Sequence, residues 1–86
     1  MRFLGLLILD HKTSTDEGNR LAQLGFRKRI ATDDKSFAFQ LPYPGWAIDR
    51  DGDSAEQVRD EILGILSENE LSAFLIVAER FSCGRT

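Results

Sequence analysis

The chain is poor in the residues that build covalent or metal frameworks. Its 86 residues include one cysteine, one histidine and two prolines. A lone thiol, Cys83, closes no disulfide within the chain, which points to a reducing compartment, with the cytoplasm as the expected location. Cys83 and His11 stand far apart and without supporting partners, so no nucleophile pair is legible. No glycine-rich phosphate loop, zinc-ligand spacing or Ser-His-Asp arrangement occurs. The longest apolar run, Phe3 to Leu9, is far short of the roughly 18 residues of a membrane helix. Asp10, His11 and Lys12 follow it with no small-residue cleavage site, so it reads as a strand rather than a signal-peptide core. No membrane partner is expected.

What is present describes one small folded domain over residues 1–86. Hydrophobic residues make up 42% and charged residues 29%, neither disordered nor fibrous in type. A domain of this size buries only about 60% of its extended-chain surface, so marginal stability or help from a second copy is expected. The net charge is −3, which excludes coating nucleic acid by bulk charge. The charge is nonetheless uneven. Residues 1–31 hold six basic and three acidic side chains, and residues 49–70 hold two basic and eight acidic ones. Arg27, Lys28 and Arg29 form the obvious local nucleic-acid-binding candidate, although three adjacent cations also suit a solvated face.

Phe3 to Leu9 reads as a strand buried on both faces, with Gly5 marking a close approach by another group. Thr13, Ser14 and Thr15 are capable N-caps for a helix over Asp16 to Leu24, which Gly25 ends as a left-handed cap. Phe26 to Ala31 and Ser36 to Leu41 alternate as strands. Pro42 and Pro44 are expected to end regular pairing, Gly45 to open a bend, and Asp49 to Asp53 to form a tight acidic loop. Ser54 with Gln57 then caps the clearest helix, in which Ala55, Val58, Ile62, Ile65 and Leu66 recur on one face as far as about Glu68. Ala73 to Ala78 is a last apolar strand. Strand, helix, strand, strand, helix, strand is the order of an α+β, ferredoxin-like βαββαβ fold, a four-stranded antiparallel sheet with two helices on one face. If Phe37 and Phe39 point away from the helices, a second copy of the chain is the simplest cover for them.

Three groups of residues could carry chemistry. Asp10, at the end of the buried first strand, is held where a carboxylate could ligate Mg²⁺, and two copies of it in a symmetric dimer would make a better site. The plainer reading is a strand cap that opens a polar turn. Asp49-Arg50-Asp51-Gly52-Asp53 matches the start of a Ca²⁺ loop. The remainder departs from it, with Ser54 at the turn-glycine position and Asp60 at the last ligand position, so an acidic turn with a helix cap is expected instead. Tyr43, Trp46, Phe37 and Phe39 near Arg27 to Arg29 could stack on the bases of a single strand, or bury themselves in a small core.

The layout resembles that of the small CRISPR-associated adaptation nucleases and the virulence-associated protein D ribonucleases. The residues carrying the likeness are Leu6-Leu7-Ile8-Leu9-Asp10, Asn19-Arg20-Leu21-Ala22-Gln23-Leu24-Gly25-Phe26, Ser36-Phe37-Ala38-Phe39, the Ser54 to Glu68 helix and Phe74 to Ala78. The resemblance implies a ferredoxin-like homodimer and, in active members, Mg²⁺-dependent phosphodiester cleavage, with Asp10 as the catalytic and metal-binding residue. The expected function is therefore a small metal-dependent endonuclease, in the first instance an endoribonuclease, with Arg27, Lys28 and Arg29 on the phosphate backbone. The alternative is a non-catalytic dimeric module that binds a protein or nucleic-acid partner.

Overall fold

The structure, a computed structural model, describes residues 1–31, 38–42 and 44–79. Seven elements follow in order: β1 (Arg2–Leu9), α1 (Thr15–Gln23), β2 (Arg29–Ala31), β3 (Ala38–Gln40), β4 (Gly45–Asp51), α2 (Ala55–Glu68) and β5 (Ala73–Ala78). β1 is the centre of a three-stranded antiparallel sheet ordered β4-β1-β5, and β2 pairs with β3 in a separate two-stranded ladder. The protein is thus a small α+β fold with a three-stranded antiparallel sheet and two helices. Of the expected Ser36 to Leu41 strand, Ala38–Gln40 forms β3, Leu41 lies beyond it, and Ser36 and Phe37 lie outside the described residues. No helix among the described residues is long and apolar enough to cross a membrane.

The segment from Pro42 to Asp53 departs most from expectation. It is not a bend followed by a tight acidic loop. Gly45–Asp51 is a strand that pairs with β1 along nearly its whole length, from Arg2↔Asp51 to Ile8↔Gly45. Pro42 and Pro44 stand just before the strand, where their missing N–H groups cost no ladder bond. The Gly45 N–H instead closes a turn onto the Pro42 carbonyl at 2.7 Å.

β1 explains the division of the molecule into two sides. Phe3, Gly5, Leu7 and Leu9 are buried, and they alternate with Leu4, Leu6 and Ile8. In antiparallel sheets directly opposed residues share a face, so Ile48, Trp46, Ala73, Leu75 and Val77 lie on the buried side with them. Leu21 of α1 and Val58, Ile62 and Leu66 of α2 complete that core. A β-carbon on Gly5 would lie 3.0 Å from Ile48 Cγ2 and 3.0 Å from Ile62 Cδ1, which is the close approach expected of that glycine.

Helix termini follow local chemistry. Ser14 caps α1 in a reciprocal box with Glu17, and Gly25 beyond its C-terminus takes a φ of 101°, the left-handed conformation that costs glycine least. Ser54 caps α2 through the N–H of Gln57. The side chain of Gln57 accepts from the Asp53 N–H at 2.6 Å, so the box closes one residue earlier than a standard one.

Candidate functional site

Asp10 follows the last residue of β1, one step beyond the Leu9↔Ala73 pair, which sets it beside Ser72. The Ser72 hydroxyl donates to Asp10 Oδ2 at 2.9 Å. An exposed carboxylate is thereby anchored at the carboxyl end of the central strand. Within β1, Leu4, Leu6 and Ile8 lie on the side of the sheet away from the helices, and Asp10 follows just beyond the strand's end.

His11, the next residue, turns toward α1, and its Nε2 lies 2.9 Å from Glu17 Oε2. The other oxygen of Glu17 accepts the Ser14 N–H at 3.2 Å, and the Glu17 N–H donates to Ser14 Oγ at 3.2 Å. The His11 hydrogen bond first, and the Ser14 backbone bond second, hold the Glu17 carboxyl below its usual value of 4.5. The polar segment after β1 is therefore tied to the start of α1, which fixes the backbone from which Asp10 projects.

The three adjacent cations do not act as one patch. Arg27 and Ala47 exchange both backbone hydrogen bonds, at 2.7 and 2.8 Å. Arg27 therefore shares a face with Ala47 and, through the β1–β4 register, with Leu6. Lys28 turns the other way. Its Nζ donates to the Gly45 carbonyl at 2.6 Å and sits 5.0 Å from the centroid of the Trp46 ring. Desolvation lowers the Lys28 pKa from its usual 10.5. Arg29 is exposed, and its Nε donates to Gln40 Oε1 at 3.4 Å. Of the expected phosphate-binding trio, Arg27 and Arg29 face solvent, and Lys28 is engaged with the rim of the core.

The aromatic candidates also divide. Trp46 packs on the core side, near Gly18 of α1 and under Lys28, and so presents no free ring face for a base. Tyr43 and Phe37 lie outside the described residues. Among the described residues the exposed ring is Phe74 of β5, part of the run expected as a last apolar strand. Phe74 is 63% exposed, and Ile76 and Ile8 beside it are 48% and 41% exposed. Ala73 to Ala78 are all apolar, and an apolar strand with no polar face does not say which side is covered.

The acidic run is not a cation loop. Asp49 and Asp51 belong to β4, and Asp51 lies 3.9 Å from Arg2. Asp53 belongs to the cap of α2. Among the described residues no group of three His, Cys, Asp or Glu side chains is arranged to hold a metal ion. No family model, curated protein or solved structure matches the chain.

Proposed function

We propose that this chain is a small metal-dependent endonuclease, with RNA the first substrate to test, that works as a homodimer of ferredoxin-like protomers. The observation that carries the proposal is the anchored, exposed carboxylate of Asp10 at the end of the central strand. Rigid elements hold reacting groups better than loops do, and the Ser72 bond removes one rotational freedom of this side chain.

A single chain brings one carboxylate, which does not complete a metal centre by itself. A two-fold axis passing near the carboxyl end of β1 would bring a second Asp10, and two carboxylates with water fit the oxygen preference of Mg²⁺. Bound there, the ion would polarise a phosphate oxygen or lower the pKa of a water. The chain's own contribution is to fix Asp10 through Ser72 and to hold the backbone of the substrate with Arg27 and Arg29. In the ferredoxin-like reading, β1, β4 and β5 supply three strands, and the isolated bridge of Arg27 to Ala47 supports a fourth beside β4.

The test is cleavage of labelled single- and double-stranded RNA and DNA, in Mg²⁺ and in EDTA, by the wild type and Asp10→Ala. Cleavage that needs both the metal and Asp10 supports the proposal and names the substrate. Asp10→Ala cutting as fast as wild type overturns it.

A second reading, a non-catalytic interaction module, is favoured by the open sheet face on which Ile8, Phe74 and Ile76 are exposed. Absence of cleavage on every substrate, together with binding that survives Asp10→Ala, selects this reading.

A further inference from the structure

We draw no further inference here: the strongest candidate, the apolar sheet face away from the helices on which Ile8, Phe74 and Ile76 are exposed, carries nothing because nothing in the structure shows what covers it.

Discussion

Lys28 donates its ammonium to the Gly45 carbonyl and lies over the Trp46 ring, whereas Arg27, its immediate neighbour, points to the opposite side of the sheet. Two adjacent cations therefore have different work, and substitution should separate them. Lys28→Ala loses a charge-assisted hydrogen bond, a cation–π contact and the packing of its stem, in a partly exposed setting. An expected loss of about 1 kcal/mol would appear as a lower Tm together with altered Trp46 fluorescence. Arg27→Ala should leave the Tm nearly unchanged.

Glu17 sets a pH dependence. Its carboxyl is held below its usual 4.5, first by the His11 hydrogen bond and then by the Ser14 N–H. A group whose folded pKa is depressed contributes stability above its unfolded value and loses it as pH falls through the folded one. Acidification from pH 4.5 downward should therefore weaken the cap of α1. Glu17→Gln should be less stable than wild type at neutral pH, and the gap between the two Tm values should close over that acid range.

Gly52 connects β4 to the cap of α2, and a β-carbon there would collide with Cγ2 of the fully buried Val58. Val58 sits in the core and has little room to retreat. Gly52→Ala should destabilise by about 1–3 kcal/mol, the usual cost of overpacking, as read in urea denaturation. Wild-type stability in this variant would show that the junction relaxes.

Ile62 is fully buried between Gly5 of β1 and the rest of the core. Ile62→Ala should cost about 2–5 kcal/mol and Ile62→Val about 1 kcal/mol. In a domain with little stability to spare, the alanine variant is expected to be largely unfolded by far-ultraviolet circular dichroism.

Ser72→Ala removes the donor that holds Asp10 Oδ2. Both groups are exposed, so stability should move by less than about 0.5 kcal/mol. In the proposed nuclease the same change should lower kcat more than it raises KM, because it loosens a positioned carboxylate rather than a substrate contact. An unchanged kcat would place the Ser72 bond outside the chemistry.

Local signals fixed a good part of this fold. Ser14 as one of three capable caps, and Ser54 before Val58, Ile62 and Leu66, are legible because capping and helical periodicity act over three or four residues. β1 and β5 are legible as apolar runs between polar segments, and Gly25 as a helix stop. The pairing of Gly45–Asp51 with β1 was not legible. Gly45, Asp49 and Asp51, with Pro42 and Pro44 before them and Gly52 after, carry the marks of a turn, and only a central strand offering its ladder bonds makes a strand of this segment. Tertiary structure alone also divided Arg27 from Lys28 and joined Asp10 to Ser72, residues 62 positions apart. It left Phe74 in solvent as well. The alternation of a strand defines two faces, but which one the helices cover depends on elements distant in sequence.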